Sequence, residues 1–305
     1  MNSLKLILFR MRKSVAYWIA FALFGALGIV FAILATTIFK GTIGIANLLI
    51  LPFSMQIFSS ESIRSVTFVP PYPFFLFSIG FAIVFVGEEF RTGTIKSQAL
   101  SGKSRTKIFL SMALAGFVLA ISLVLAFQLL ATLLALLLKV PFCPEMGFPL
   151  GNNASYSDSL PASQEKWIFL QSLAMTFLVY LVCYLICFSA CANFHNGWIG
   201  VIFGAVVFLI LFVVGMVFFS LGGKSIEAHE RKFPFLLEVW LPHFWIRSFS
   251  SFSQSCVYEI TKDGEWVTHA DRNGYLSMVA GVEIVLASAI TLFAGIFKFR
   301  KVDLR

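Results

Sequence analysis

Long apolar blocks dominate this chain and decide what it can fold into. They cover residues 15–39, 68–87, 108–138, 167–191, 197–220 and 276–297. Each block is long enough to cross the roughly 30 Å of bilayer hydrocarbon, where backbone groups must be paired within the segment. Charged residues make up only 12% of the 305 residues, about half the share usual in soluble domains. The sequence therefore predicts one all-α integral membrane domain over 1–305 with six transmembrane helices, and excludes a soluble fold.

Basic residues indicate the orientation of these helices. If the N-terminus is cytoplasmic, segments 1–14, 88–107, 192–196 and 298–305 also face the cytoplasm. Those segments hold 13 of the 23 Lys and Arg residues but three of the 15 acidic residues. Lys and Arg concentrate on the cytoplasmic side of membrane proteins. We therefore expect both termini in the cytoplasm and attribute the net charge of +8 to topology, with no nucleic acid as partner.

The first fourteen residues are amphipathic. Leu4, Ile7, Leu8 and Met11 follow the i, i+3, i+4, i+7 spacing of one helix face, and basic residues occupy much of the remainder. This pattern predicts a short helix that lies in the inner membrane interface. The alternative is a basic topology signal that is helical by coincidence. The apolar run that follows is too long for a signal-peptide core, so we expect a retained first span.

Two outer segments between the apolar blocks are irregular. Segment 42–58 is a weaker apolar run containing Gly44 and Pro52, and a crossing there would reverse the orientation of every later span. It is therefore predicted to be an outer interfacial or re-entrant piece. Segment 139–166 contains four prolines among Asn and Ser residues, a composition typical of an irregular loop.

The outer loop 221–275 is the largest connection. Its part 233–249 is aromatic and apolar but too charged to span easily. We predict short re-entrant helices there, with Trp240 and Trp245 at the headgroup level. The polar part 251–275 predicts a small exposed turn or hairpin.

The cytoplasmic segment 88–107 exceeds the few residues that join neighbouring helices in most bundles. Its pattern predicts a short helix through about 95–100 that stops at Gly102, after which Ser104 caps the third span. A docking surface for a cytoplasmic protein is one interpretation. A solvated basic loop that only fixes topology is the other.

Residues 102–104 read Gly-Lys-Ser, the ending of a phosphate-binding P-loop. A P-loop also needs glycine five positions before its second glycine, and that position is Ser97. No soluble strand precedes the segment either. We therefore expect that this chain binds no nucleotide.

Two stretches carry a family resemblance. Residues 87–112, GEEFRTGTIKSQALSGKSRTKIFLSM, and the ending FKFRKVDL at 297–304 resemble permease subunits of ABC-2 type ABC transporters, a family that includes bacterial exporters. The resemblance implies a permease in the plasma membrane that is not itself an enzyme. It implies two partners besides membrane lipid: a second permease chain, identical or a sister, and a separate ATPase subunit that binds ATP and Mg.

The resemblance also implies roles for particular residues. The ATPase would dock on a coupling helix region formed by Glu88, Glu89, Phe90, Arg91, Thr94, Ile95, Lys96 and Arg105. The second and fifth spans would line the translocation pathway, and residues 233–249 would form its outer gate. The candidate pathway and gate residues are Phe208, Phe212, Phe219, Trp240 and Trp245, together with Glu283 of the last span. The alternative for the phenylalanines is that they simply face lipid or neighbouring helices. The implied substrates are antimicrobial or lantibiotic-like peptides, with a role in immunity, or drugs or lipidic molecules.

Cys183, Cys187 and Cys191 recur every four residues and so share one face of the fourth span. A row of thiolates binds soft metals such as Cu(I), but three small core residues at a helix contact give the same pattern. We favour the core interpretation and expect no metal site. Cys143 and Cys256 both fall in outer segments, where an oxidising compartment would permit a disulfide.

Glu283 and Gln128 are polar residues within apolar spans. A carboxylate in lipid, as at Glu283, is costly and therefore a candidate for a role in gating, substrate contact or proton coupling. Contact with water or with an arginine of an outer loop would explain it equally. Gln128 is predicted to form a hydrogen bond between helices.

Two other function classes remain open. A membrane scaffold or sensor that transports nothing would use the same basic loop to hold a cytoplasmic partner. A proton-coupled secondary transporter would use Glu283, but such proteins usually show inverted repeats and broken helices. The sequence shows no internal repeat.

Overall fold

The structure, a computed structural model, describes residues 3–37, 45–50, 73–92, 94–100, 102, 104–140, 162–224, 256–260, 266–270 and 275–301. It is helical apart from one short β-hairpin. The helices are α1 (Ser3–Lys13), α2 (Val15–Thr37), α3 (Ile45–Ile50), α4 (Pro73–Arg91), α5 (Thr94–Leu100), α6 (Arg105–Leu137), α7 (Ala162–Phe194), α8 (Gly197–Lys224) and α9 (Tyr275–Lys301). The strands are β1 (Cys256–Ile260) and β2 (Trp266–Ala270).

A helix lies at each of the six apolar blocks, and four helical stretches are long and apolar enough to cross a membrane. These are Val15–Leu34, Arg105–Leu137, Phe177–Phe194 and Gly281–Lys301. The chain is therefore a helical membrane-embedded protein. Five of the helices, α4, α6, α7, α8 and α9, extend past one or both ends of their apolar blocks into polar residues. In particular, α4 continues to Arg91, so Glu88 and Glu89 belong to this helix and not to the following loop.

Glycine allows α2 and α6 to approach closely. A Cβ atom at Gly28 would clash with the carbonyl oxygen of Phe127, and one at Gly25 would lie 2.6 Å from Leu130 Cδ1. Two helices in lipid associate through close contact of this kind, because lipid chains already satisfy apolar side chains. The α2–α6 pair consequently packs backbone against backbone.

The helix α6 lies at the centre of the core and receives polar contacts from α7. The Tyr184 hydroxyl donates to the carbonyl oxygen of Ala113 at 2.8 Å. The hydroxyls of Ser78 and Tyr180 are 2.7 Å apart and link α4 to α7. All four residues lie in the described core, where each polar atom needs such a partner.

The local predictions around α6 are confirmed. Its N-cap is Ser104, whose hydroxyl accepts from the Lys107 amide, and α5 precedes it at 94–100. Gly102 lies between them with φ of +81°, a conformation that favours glycine. With 33 residues, α6 is about 50 Å long, longer than the hydrocarbon thickness.

Gln128 forms the predicted contact between helices. Its side-chain amide donates to the carbonyl oxygen of Leu49 at 2.6 Å, joining α6 to α3. Ile45 and Leu48 are buried in the same contact. The helix α3 thus packs against α6. Its residues, Ile45–Ile50, are part of the predicted re-entrant segment 42–58. Residues 41–44 and 51–58 of that region lie outside the described residues.

The prediction of a hairpin within 251–275 is confirmed. β1 and β2 pair antiparallel, from Cys256 opposite Ala270 to Ile260 opposite Trp266. This hairpin is a departure from the all-α expectation. The loop segments 141–161 and 225–255, including the predicted re-entrant helices at 233–249, lie outside the described residues.

The close α2–α6 contact gives a first prediction. Gly28→Ala should lower the thermal midpoint of the purified protein, because the added methyl group meets backbone atoms of α6 that cannot rotate away. Overpacking of this kind costs about 1–3 kcal/mol. Fluorescence-detected thermal unfolding in detergent measures it. Gly80→Ala is the matched control, since the nearest atoms to its Cβ are in the Val201 side chain at 3.7 Å. Equal midpoints for both variants would contradict the assigned contact.

Candidate functional site at the α4–α5–α6 junction

A buried ion pair joins the N-terminal helix to the end of α4. Arg10 Nη1 lies 2.7 Å from Oε1 and 2.8 Å from Oε2 of Glu89. Glu89 is only 5% exposed, whereas the Arg10 side chain is about half exposed. A buried carboxylate is costly unless it is paired. The contact therefore fixes α1 against the last turn of α4.

Aromatic rings connect the same turn of α4 to the α7–α8 turn and to the helices α9 and α6. The Phe90 ring lies 5.6 Å from the His195 ring and 6.1 Å from the Phe299 ring, between centroids. Phe299 in turn lies 5.5 Å from Phe109 near the start of α6. These spacings are those of favourable aromatic pairs. The end of α4 is thus packed against the α7–α8 turn, the end of α9 and the start of α6.

The α7–α8 turn is formed by two residues. His195 has φ of +54°, and the Asn196 side chain accepts from the Trp198 amide at 2.9 Å, which caps α8. A Cβ atom at Gly197 would lie 2.7 Å from the Cα atom of Val84. The first turn of α8 therefore rests directly on the backbone of α4.

The helix α5 has one anchored side and one exposed end. Ile95 is buried in the core that contains α4 and α6 residues. Leu100, at the other end of the helix, is 88% exposed, and Ser97 is also exposed. An isolated leucine on a protein surface is common. Here, however, it ends a seven-residue helix whose Ile95 is buried in the core and whose Ala99 also packs against that core.

The start of α6 contacts the end of α9. Arg105 Nη1 donates to the carbonyl oxygen of Arg300 at 2.8 Å. This hydrogen bond satisfies a carbonyl group in the last turn of α9, which has no partner within the helix. Together with Phe299, it holds α9 beside the α5–α6 connection.

The predicted docking residues therefore divide into groups. Glu89, Phe90 and Ile95 make contacts within the chain, Arg105 bonds to α9, and Glu88 is exposed. The side chains of Arg91, Thr94 and Lys96 lie outside the description. Sequence reasoning missed the contributions of Arg10, His195 and Phe299. Arg10 is visible in the sequence only as one of several basic residues, and nothing local pairs it with Glu89.

The predicted pathway residues lie on other parts of the chain. Glu283 is on α9 and only 4% exposed, about 24 Å along the helix from Phe299 at 1.5 Å per residue. Its burial fits the expectation that a membrane carboxylate has a specific environment. Phe208, Phe212 and Phe219 lie on α8, with side chains outside the description. Trp240 and Trp245 lie outside the described residues.

Two of the three cysteines of α7, Cys187 and Cys191, pack against glycines of α8. Cys183, Cys187 and Cys191 are buried free thiols. A Cβ atom at Gly200 would lie 2.6 Å from Cys191 Cβ, and one at Gly204 would clash with Cys187 Sγ. Among the described residues, no group of three or more His, Cys, Asp or Glu side chains is placed to hold a metal. Close contacts of this kind are typical of small residues that pack where two helices meet.

A search of known protein families, of characterised proteins and of solved structures finds no match to this chain. The fold and the junction therefore define its class as a helical membrane-embedded protein.

The Arg10–Glu89 pair gives a second prediction. Arg10→Met should destabilise the protein because it leaves the buried Glu89 without its partner. We expect a loss of about 1–3 kcal/mol, less than for a fully buried pair because Arg10 is half exposed. The double variant Arg10→Met/Glu89→Gln should be more stable than the two single losses together predict. Thermal unfolding in detergent checks both expectations, with exposed Arg12→Met as control. If the stability losses of the two single variants add up to that of the double variant, the pair contributes no coupling energy.

Proposed function

We propose that this chain is the permease subunit of an ATP-driven exporter of the ABC-2 type. In this proposal it crosses the plasma membrane six times with both termini in the cytoplasm, and two permease chains form the translocation pathway. A separate ATPase subunit binds ATP and Mg and docks on the 88–107 region. One observation carries the proposal: a short helix, α5, is anchored in the transmembrane core and exposes its far end.

The contacts around α5 suit the transmission of force. A partner that moves α5 also moves α4 and α6, because Ile95 is packed in their shared core. The end of α4 is tied to α1 through Arg10–Glu89 and to the α7–α8 turn through Phe90 and His195. Close-packed interiors have low compressibility and transmit displacement. Docking at one small helix would thereby reach most of the bundle.

The pathway in this proposal runs between the two permease chains. The helices α4 and α8 would line it, with Phe208, Phe212 and Phe219 on α8 and the gate segment 233–249 outside. The buried Glu283 on α9 would contact a cationic group of the substrate or act in gating. An amphipathic antimicrobial peptide, with the permease providing immunity, is the proposed substrate class, and drugs or lipidic molecules are alternatives.

Two other functions have an observation in their favour. A scaffold that transports nothing would use the same exposed end of α5. A proton-coupled transporter would use the buried Glu283. Purification of the chain from its native host separates these cases. Vanadate-sensitive ATP hydrolysis by a co-purifying ATPase supports the exporter, and a partner without such activity supports the scaffold. A chain that transports without any ATPase supports proton coupling.

Docking at α5 gives a third prediction. Leu100→Glu should reduce recovery of the ATPase subunit with the permease by about 30-fold or more, as expected when a central apolar contact worth about 2 kcal/mol is lost. The exposed position of Leu100 leaves the permease itself stable. Quantitative mass spectrometry of the affinity-purified complex measures the ratio of the two subunits.

The matched control is Leu137→Glu. It introduces the same charge at an exposed leucine at the end of α6 that is farther from α5. It should leave the subunit ratio unchanged. Charge reversal at Glu89 is a weaker test, because it breaks the internal pair with Arg10. Retention of the ATPase by a well-folded Leu100→Glu variant would place the docking surface elsewhere.

A further inference from the structure

An exposed apolar stripe runs along the last part of α9 and ends at a cation. Ile290, Phe293 and Phe297 are 67%, 70% and 61% exposed. Their spacing of three and four residues places them on one face of the helix, and Lys301 follows four residues later. The exposed apolar face continues toward the start of the helix through Leu286 and Val282, which are 47% and 53% exposed. Its part from Ile290 to Lys301 is about 16 Å long, about half the thickness of the bilayer hydrocarbon, so one acyl chain of a lipid can lie along it.

Two ammonium groups are held over aromatic rings at the end of this stripe. Lys301 Nζ lies 4.2 Å from the centroid of the Phe297 ring. Lys298 Nζ lies 5.3 Å from the centroid of the Phe194 ring, which is itself half exposed at the end of α7. Lys298 and Lys301 are three residues apart and so are neighbours on the helix surface. The two charges thus flank the apolar stripe where it ends.

The charge around this position is positive. Arg300 is exposed beside the two lysines, and Arg105 reaches the Arg300 carbonyl from the start of α6. In the described part of the chain, neither lysine nor Arg300 forms an ion pair with a carboxylate. The N-terminus of α6 adds a partial positive charge. An anionic group placed here would meet several cations and no described acidic partner.

Two general effects explain cations at this end but not their arrangement. Basic residues in the last turn of α9 stabilise the helix dipole, and basic residues flank membrane spans for topology. Neither effect requires the two ammonium groups to lie over aromatic rings at the end of an exposed apolar face. A molecule with an apolar chain and an anionic head fits both features at once.

We propose that the stripe Ile290–Phe293–Phe297 binds an acyl chain of an anionic phospholipid whose headgroup phosphate is held by Lys298 and Lys301. Lysine is a common phosphate ligand, as a point charge with three donors. A zwitterionic lipid would gain less, because its own cation opposes the same charges. This site is independent of ATP-driven transport and requires only that α9 is embedded in the membrane.

The test uses the purified full chain in a mild detergent. The protein is incubated with equal amounts of phosphatidylglycerol and phosphatidylcholine that have identical acyl chains, and native mass spectrometry counts each bound lipid. The wild-type chain should bind phosphatidylglycerol preferentially. In Lys298→Gln/Lys301→Gln this preference should fall by about tenfold or more, since each cation near a lipid surface contributes about 1 kcal/mol.

The matched control is Lys5→Gln/Lys13→Gln. It removes the same charge from α1, and Lys13 is likewise held over an aromatic ring, that of Phe9 at 4.6 Å. It should keep the preference, as should Lys298→Arg/Lys301→Arg, which also shows that the site tolerates substitution. An equal loss in the α1 control would overturn the proposal in favour of diffuse charge attraction. Absence of any preference in the wild-type chain, or full displacement of the lipid by inorganic phosphate, would also overturn it.

Discussion

Helices surrounded by lipid gain little from burying apolar side chains against each other, because lipid chains are equally apolar. Close contact between backbones must therefore hold this bundle together. Such contacts occur between α2 and α6 at Gly28, and between α7 and α8 at Gly200. Each of these glycines has no side chain at the point where two helices meet. The position of every other group, including the polar junction, depends on this packing.

Several polar contacts in the described bundle join different helices. Ser78 meets Tyr180, Tyr184 meets the Ala113 carbonyl, and Gln128 meets the Leu49 carbonyl. An unpaired polar group is expensive in a medium without water. These contacts therefore select one arrangement of the helices more than they add stability. The Arg10–Glu89 pair has the same effect at the α4–α5–α6 junction.

The parts predictable from sequence are those set by local chemistry. Apolar runs locate the helices, Ser104 and Gly102 mark the boundary between α5 and α6, and the polar stretch before α9 predicts the hairpin. The junction depends on residues far apart in the chain. Arg10 and Glu89 are 79 positions apart, and the contact of Phe90 with His195 requires the α7–α8 turn to lie against α4. No periodicity or cap encodes such pairings. The helical continuation through Glu88 and Glu89 was also missed, because charge suggested a loop.

The two-residue turn between α7 and α8 restricts how the bundle can change shape. A longer connection would let each helix tilt separately. Here two residues join the helices, and the backbone contact of Gly87 with Gly197 lies next to the bend. A tilt of α8 relative to α4 would therefore pivot near this contact. A small displacement of α4 there would be magnified along the 28 residues of α8, so that a short stroke would become a wide swing at the other end of that helix.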